Sequence, residues 1–302
     1  MNLKNHAARA LFVSCMVMVG IVQAQTSTGE ITGTITDSSG AVVVDATVTL
    51  TNSATNAVRT AKSNGSGLFD LPALPPGTYN LNVGMQGFAS QVRNNIELQV
   101  AQVARFDVVL QPGNVSETIE VTGGAPVLET ESTAVGTVIE NKRIVELPLN
   151  GRNYLSLTAL TPGVTNTSQP NQVASSRQGG LRGSFTVSAA GQRAYFNHFT
   201  LDGAENTDPN FNSFLFLPSL DALQEFKVET GIFPAEYGHN MTQVNVTTKS
   251  GTNTVHGSLF EFIRNSAVDA KNYFDRGGDP IPPFKRNQFG GTVGGPIKRD
   301  KL

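Results

Sequence analysis

The sequence has no tryptophan, a single cysteine and little charge. Charged residues make up 15% of the chain and the formal net charge is −2, which gives no electrostatic reason to expect a nucleic-acid partner. After residue 24, the chain holds no uncharged apolar run near the ~18 residues that a membrane-spanning helix needs. These absences argue against nucleic-acid-binding proteins and against helical membrane proteins.

The N-terminal residues have the three parts of a secretory signal peptide. Lys4 and Arg9 supply a basic start, residues 10–22 supply an apolar core, and Ala24 precedes the expected cleavage before Gln25. We therefore predict that residues 1–24 are a signal peptide, with a membrane anchor or lipidation at Cys15 as the alternatives. Removing them also removes the cysteine, so the mature chain is expected to have neither disulfide nor thiol chemistry.

No motif predicts catalysis, a metal or a cofactor. The four histidines are not paired at a zinc-ligand spacing, and the chain has neither a nucleophile elbow nor a motif-supported carboxylate pair. Asp202, Asn206 and Asp208 resemble the start of a calcium loop, but the later Glu and the required Gly are missing, so turn capping is the preferred interpretation. His198, inside a predicted strand, is interpreted as a hydrogen-bonded structural residue.

What the chain has instead is glycine, proline and period-two alternation. It contains 30 Gly and 15 Pro, and from residue 29 to residue 112 apolar and polar residues alternate between turn signals such as Asn64-Gly65. Ile31, Gly33 and Ile35 form one such row. Short strands at regular spacing predict a β-sandwich of about seven strands over residues 25–112.

The phrases GEITGTITDSSGAVVVDATVTLTN and GLFDLPALPPGTYNLNV resemble the carboxypeptidase regulatory-like (transthyretin-like) domain, which implies a non-catalytic accessory module.

Residues 113–124 are predicted to link this sandwich to the next domain. Gly and Ser flank an extended hexapeptide whose members are Glu117, Thr118, Ile119, Glu120, Val121 and Thr122. One interpretation is a further strand or a plain linker. The other is a TonB box, because TonB-dependent receptors carry a similar acidic, β-prone segment before their plug. An extended backbone with unpaired donors and acceptors can add to the sheet edge of a periplasmic partner, which would be a TonB-type energy-coupling protein.

Residues 218–251 carry the most specific resemblance. Their pattern alone predicts an ordinary α+β segment: a short helix with Ser219 as N-cap, followed by strands. On the helical face, Leu220 is spaced three residues from Leu223, and Ala222 four residues from Phe226. The letters DALQEFKVETGIFPAEYG and VNVTTKSGTN resemble the end of the plug domain of TonB-dependent outer-membrane receptors of the Oar-like group. The resemblance implies a plug over residues 125–251 and marks a set of plug-motif positions: Arg182, Gly183, Arg193, Asp202, Gly203, Gly231, Tyr237 and Gly238.

Residues 252–302 continue the alternation with a different character. GSLFEFIRN and NQFGGTVGGPIKRDK resemble the first barrel strands of Oar-like receptors. A transmembrane barrel needs at least about eight strands and cannot leave open edges in lipid, so the chain is expected to be either the N-terminal part of a longer receptor or a truncated gene product.

The predicted fold class is mainly β: an N-terminal transthyretin-like β-sandwich, then an α+β plug domain, then the first strands of an incomplete transmembrane β-barrel. The expected function is energy-coupled uptake of an unknown extracellular ligand through the outer membrane, with the accessory domain in the periplasm. The alternative is a secreted adhesive or carbohydrate-binding β-sandwich protein.

Overall fold

The computed structural model describes residues 28–113, 118–120, 135–147, 149–166, 187–189, 191–192, 196–209, 213–231, 242–271, 273, 278 and 280–300. The predicted signal peptide, 1–24, lies outside these residues. In the described part, no helix is long and apolar enough to cross a membrane.

The N-terminal domain is a two-sheet sandwich, as the alternation predicts. Its strands are β1 (Gly29–Asp37), β2 (Thr47–Asn52), β3 (Val58–Lys62), β4 (Leu68–Leu74), β5 (Gly77–Gly84), β6 (Ser90–Leu98), β7 (Val103–Arg105) and β8 (Val108–Leu110). One sheet has the order β4-β1-β7, with β8 also paired to β1. The other has the order β3-β2-β5-β6, and β9 (Thr118–Glu120) extends it at the β6 edge.

The predicted inward rows form the core of this sandwich. Ile31 and Ile35 are fully buried on the same face of β1, because residues two apart in a strand point to the same side. Gly33 lies between them, and a Cβ added there would come within 1.9 Å of the carbonyl oxygen of Phe106. Glycine is therefore required at this position so that the chain between β7 and β8 can lie directly against β1.

The part of the chain predicted as the plug, called the plug below, is built around a five-stranded mixed sheet. Its elements are β10 (Val135–Glu140), α1 (Asn141–Glu146), β11 (Val164–Asn166), β12 (Val187–Ala189), β13 (Asn197–Leu201), β14 (Ala204–Glu205), β15 (Leu223–Thr230) and β16 (Thr242–Thr248). The sheet order is β10-β15-β16-β13-β14, with β13 parallel to β16 and the other pairs antiparallel. The strands β11 and β12 pair separately, and short 3-10 turns cover Asn150–Arg152, Tyr154–Leu160 and Leu220–Ala222.

The predicted helix around residues 220–226 is wrong beyond its first turn. Only Leu220–Ala222 is helical, and Leu223 already begins β15. Ser219 does not act as a side-chain cap; its hydroxyl instead bonds to the Asp221 carboxylate at 3.3 Å. The apolar spacing fitted a helix, but pairing of β15 with both β10 and β16 outweighs that weak local preference.

The two faces of the plug sheet are both buried but differ in chemistry. One face carries Phe226, Val228, Val244, Val246 and Phe199, which pack under the 3-10 turn that holds Tyr154. The rings of Tyr154 and Phe226 lie 5.4 Å apart between centroids. The opposite face carries charged and amide side chains, and its burial requires a polar cover.

The last two strands form a regular antiparallel hairpin. They are β17 (His256–Asn265) and β18 (Lys285–Gly294), paired in register from His256 opposite Gly294 to Asn265 opposite Lys285. The predicted alternation is confirmed. The side that bears Leu259, Ile263, Phe289 and Val293 is exposed, and Leu259 is 92% exposed.

Candidate functional site

The residues predicted as functional are only partly covered by the structure. Of the hexapeptide, Thr118, Ile119 and Glu120 are described as strand β9. Of the plug-motif positions, Asp202, Gly203 and Gly231 are described. The remaining predicted positions lie outside the described residues: Glu117, Val121, Thr122, Arg182, Gly183, Arg193, Tyr237 and Gly238.

Strand β9 lies parallel to β6 at the edge of the sandwich. Thr118 stands opposite Ser90, Ile119 opposite Gln91, and Glu120 opposite Val92. The described residues Thr118–Glu120 therefore form a further strand of the sandwich, as one of the two interpretations predicts. This position is also compatible with a partner-binding role, because β-strand addition needs an extended segment at a sheet edge.

Asp202 and Gly203 form the turn between β13 and β14. Asp202 has φ +50 and Gly203 has φ +79, so both take the left-handed conformation. The Asp202 carboxylate accepts hydrogen bonds from the backbone N–H and the hydroxyl of Thr248, each at 2.8 Å. The carboxylate thus fastens this turn to the end of β16, where the plug sheet leads toward the hairpin. Among the described residues, no group of three or more His, Cys, Asp or Glu is arranged to hold a metal ion.

The polar face of the plug sheet is covered by the sandwich. Glu225, Lys227 and Glu229 alternate along β15 and are 7%, 2% and 3% exposed. The sandwich turn at residues 99–102 meets them. The backbone N–H of Val100 donates to the Glu225 carboxylate, and Lys227 Nζ donates to the carbonyl oxygen of Ala101 at 3.3 Å. Lys227 is also 3.2 Å from Glu229 Oε1.

These contacts shift the ionisation of Glu225. Burial raises the pKa of this carboxyl to about 7, and the negative charges of Glu140 and Glu97 act in the same direction. The hydrogen bond from Val100 and the positive charge of Lys227 oppose the shift without cancelling it. Glu225 therefore titrates near neutral pH at the contact between sandwich and plug.

From this contact, a chain of hydrogen bonds crosses the plug sheet. Asn245 Nδ2 donates to Glu229 Oε2 at 3.2 Å, and Asn245 Oδ1 accepts from Gln243 at 2.6 Å. Gln243 lies 2.5 Å from one ring nitrogen of His198, whose other ring nitrogen lies 2.5 Å from Glu205. His198 is thus hydrogen-bonded within the plug, in agreement with its predicted structural role. The network connects the sandwich contact with the far edge strand of the plug.

Arg152 connects the plug with the hairpin. Its Nη2 lies 2.7 Å from Asp221 Oδ2, and both side chains are largely buried. The centre of its guanidinium lies 3.7 Å from the ring centroid of Phe260 and 4.7 Å from that of Phe262. Open clefts of about 370 and 400 Å³ border this contact on either side. Arg152 has φ +53 after Gly151 with φ +74, and this tight turn aims the side chain at the hairpin.

The sequence interpretation did not single out Arg152, Glu225, Lys227 or Glu229 as functional. A signal was available for the last three, because charged residues at period two beside Gln243 and Asn245 indicate a continuous polar sheet face. The helical interpretation of residues 220–226 concealed it. For Arg152 no such signal exists, because its partners Asp221 and Phe260 lie about 70 and 110 residues further along the chain.

Comparisons with known proteins match two of these units, the sandwich and the hairpin region, to known families. Residues 30–111 match the carboxypeptidase regulatory-like domain family, and residues 247–302 match the outer membrane beta barrel domain family. The TonB-dependent transporter Oar of Myxococcus xanthus is 29% identical over 294 residues, which cover 92% of this chain and 26% of that protein. The chain thus spans about a quarter of the length of this relative.

Solved structures are more distant. The siderophore receptor PirA of Acinetobacter baumannii is 22% identical, with 55% of this chain and 22% of that one covered and a TM-score of 0.37. A catechol dioxygenase of Acinetobacter radioresistens is 14% identical, with 36% and 60% covered and a TM-score of 0.24. At these TM-scores neither carries an argument. The predicted resemblance to Oar-like TonB-dependent receptors is confirmed by the sequence matches, and so is the predicted fold class.

Proposed function

We propose that this chain acts as the N-terminal part of an outer-membrane receptor that takes up an extracellular ligand by energy-coupled movement of its plug. The observation that carries the proposal is the position of the plug sheet between two other units. The sandwich turn contacts its polar face through Glu225 and Lys227, and the hairpin contacts its other end through Arg152. A domain that contacts its neighbours on both sides through charged groups is suited to controlled displacement.

The chemistry of the sandwich contact supports reversible movement. Separating an apolar interface exposes hydrocarbon to water, with a cost that grows with area. Here the groups that become exposed are the Glu225 and Glu229 carboxylates and the Lys227 ammonium, which water solvates strongly. When the sandwich separates from the plug, hydration of these charged groups therefore offsets part of the cost. Opening the plug core around Phe226 and Val244 would expose apolar side chains and gain no such hydration.

The partner in this mechanism is a TonB-type periplasmic protein that binds the segment 117–122. The partner would bind through main-chain hydrogen bonds to an added strand. Its pulling force would therefore act on the chain just before the plug. The predicted plug-motif positions, Asp202, Gly203 and Gly231 among them, would then keep the plug folded against the barrel until that pull arrives. No bound nucleotide or catalytic residue is required, since the partner supplies the energy.

The membrane location rests on the hairpin. Leu259, Ile263, Phe289 and Val293 form an exposed apolar side, whereas Phe260 and Phe262 face the plug. This arrangement is typical of barrel strands that present one face to lipid and the other to the interior. With export by residues 1–24, it would place the hairpin in the outer membrane and the sandwich in the periplasm.

The experiment is cysteine labelling in cells that make the complete receptor. Val244→Cys puts a reporter thiol in the plug core, and Val48→Cys puts a control thiol in the sandwich core; both valines are fully buried. We expect a periplasmic maleimide to label position 244 only when the cells are energised and TonB is present, and position 48 in neither state. Deletion of residues 118–120 should abolish the labelling at 244. If position 244 is labelled equally in energised and de-energised cells, and equally with and without residues 118–120, the result would contradict plug movement and favour the adhesive alternative.

A further inference from the structure

The pairing of β9 with β6 occupies one of the two sides from which a partner strand could add to β9. The ladder joins only three residues on each strand, Thr118–Glu120 against 90–92. Backbone donors and acceptors that face β6 are not available to another chain while this ladder is formed. Pairing with the sandwich therefore limits the access of a partner strand to the backbone of β9.

The ladder has two features of a weak contact. It is short and parallel, and parallel pairs are somewhat less stable per residue than antiparallel pairs. In addition, the side-chain oxygen of Gln91, which lies opposite Ile119, is buried without a hydrogen-bond partner among the described residues. A buried unsatisfied acceptor costs free energy that is recovered when water reaches it. Release of β9 would allow this.

The ladder is nevertheless easy to re-form, because the chain is anchored beside it. Pro112 lies opposite Phe88, and the backbone N–H of Gly113 donates to the carbonyl oxygen of Gly87 at 3.2 Å. Only the four residues 114–117 separate this anchor from β9. A short connection keeps the effective concentration of the segment near β6 in the millimolar range. The result is a contact that opens readily and closes quickly.

We propose that β6 of the sandwich competes with the periplasmic partner for the strand Thr118–Glu120, so that the accessory domain restrains coupling until the partner displaces it. The inference rests on the proposed function, since it assumes that a TonB-type protein binds this segment. A partner that pairs with the whole hexapeptide forms more main-chain bonds than the three residues of β6 offer, which makes the exchange favourable. The apparent affinity of the partner is then the intrinsic affinity multiplied by the fraction of chains in which β9 is open.

The test locks the ladder with a disulfide. Gln91→Cys with Ile119→Cys, in a Cys15→Ser background, joins two directly opposed residues, whose Cα atoms in a parallel pair lie about 5 Å apart and within disulfide range. The matched control, Thr49→Cys with Thr60→Cys, locks the opposite edge of the same sheet. Binding of a purified C-terminal domain of a TonB protein to the full chain is measured by titration, first oxidised and then reduced.

We expect oxidation to weaken binding by the 91–119 variant at least about tenfold, reduction to restore it, and the control pair to bind equally in both states. Equal binding by the oxidised and reduced 91–119 variant would overturn the competition while leaving the binding segment in place. Failure of the unmodified chain to bind would instead overturn the proposed binding segment and this inference together.

Hydrogen exchange on the unmodified chain provides a second measurement that needs no substitution. Addition of the TonB domain should speed exchange of the backbone amides at residues 90–92, because displacement of β9 uncovers the β6 edge. Unchanged exchange at saturating partner would show that the partner binds without displacing β9, which also overturns the proposal.

Discussion

Arg152 and Asp221 form a buried ion pair, 2.7 Å between Nη2 and Oδ2, and Phe260 of the hairpin covers the guanidinium at 3.7 Å. One side chain thus satisfies a carboxylate inside the plug and stacks on an aromatic ring outside it. The second guanidinium nitrogen, Nη1, is buried without a hydrogen-bond partner in the described part of the chain. The contact is therefore specific in geometry, and its hydrogen-bonding capacity is incompletely satisfied.

Replacing Arg152 with lysine should loosen this junction. Lysine keeps the charge, but it loses the planar stacking on Phe260 and the forked geometry toward Asp221. We expect a loss of about 1–3 kcal/mol in the stability of the hairpin against the plug, read as faster hydrogen exchange in β17 and β15. The control is Arg264→Lys, because Arg264 pairs with Asp269 at 3.3 Å in a far more exposed setting, where such pairs contribute at most about 1 kcal/mol. Equal effects of the two substitutions would contradict a special role for Arg152.

The contact between sandwich and plug should weaken as the pH rises through neutrality. The pKa of Glu225 is raised from 4.5 to about 7 by burial, so the folded protein favours the protonated carboxyl more than the unfolded chain does. A raised pKa contributes stability that is present below about pH 4.5 and is lost as the pH rises through 7. The shift corresponds to a total of roughly 3 kcal/mol between the two limits.

Urea unfolding at pH 5.5 and pH 8, followed by hydrogen exchange in β15, measures this dependence. The wild-type plug should be more stable at the lower pH. Glu225→Gln, which cannot ionise, should flatten the dependence, whereas Asp107→Asn in the exposed Arg105–Asp107 pair of the sandwich should leave it intact. A wild-type plug that becomes more stable toward pH 8 would rule out Glu225 as the dominant titrating group.

The exposed side of the hairpin should associate with lipid. Leu259→Ser combined with Phe289→Ser removes two large apolar side chains from that side, each of which contributes about 1.5–3 kcal/mol when buried in an apolar medium. We expect the fraction of chain that floats with phospholipid vesicles to fall at least about tenfold. Val58→Ser, at an exposed apolar position in the sandwich, is the control and should float like the unmodified chain. Undiminished flotation of the double variant would mean that another surface binds the vesicles.

The sequence predicts those parts of the fold that depend on local alternation. The sandwich rows around Ile31 and the two faces of β17 follow from a period of two, and both are found as predicted. The sequence-based interpretation fails where residues are buried by parts of the chain that are distant in sequence. Residues 223–230 look helical at one end because their apolar spacing fits a helix, and nothing nearby in sequence shows that Val100 and Ala101, about 125 residues earlier, cover Glu225 and Lys227.

The same limit applies to the candidate site. The hexapeptide can be recognised by its position before the plug, but its pairing with β6 is a tertiary contact that no residue within the segment specifies. The role of Arg152 likewise depends on a tertiary contact, because the ring that covers it belongs to Phe260, more than 100 residues later. Motif and periodicity therefore identify the units, whereas the contacts between the units have to be read from the structure.

The most direct measurement is the affinity of a TonB C-terminal domain for the full chain carrying substitutions at Ile119. Ile119→Pro removes a backbone donor from the middle of β9, whereas Ile119→Thr changes the side chain and keeps the donor. If the partner binds this strand through its main chain, the proline variant should lose at least about tenfold in affinity and the threonine variant should stay within about threefold. Because proline also weakens the ladder to β6, which alone would raise the apparent affinity, a loss must come from contacts with the partner. Equal binding by the proline variant and the unmodified chain would show that the TonB domain does not bind the main chain of β9.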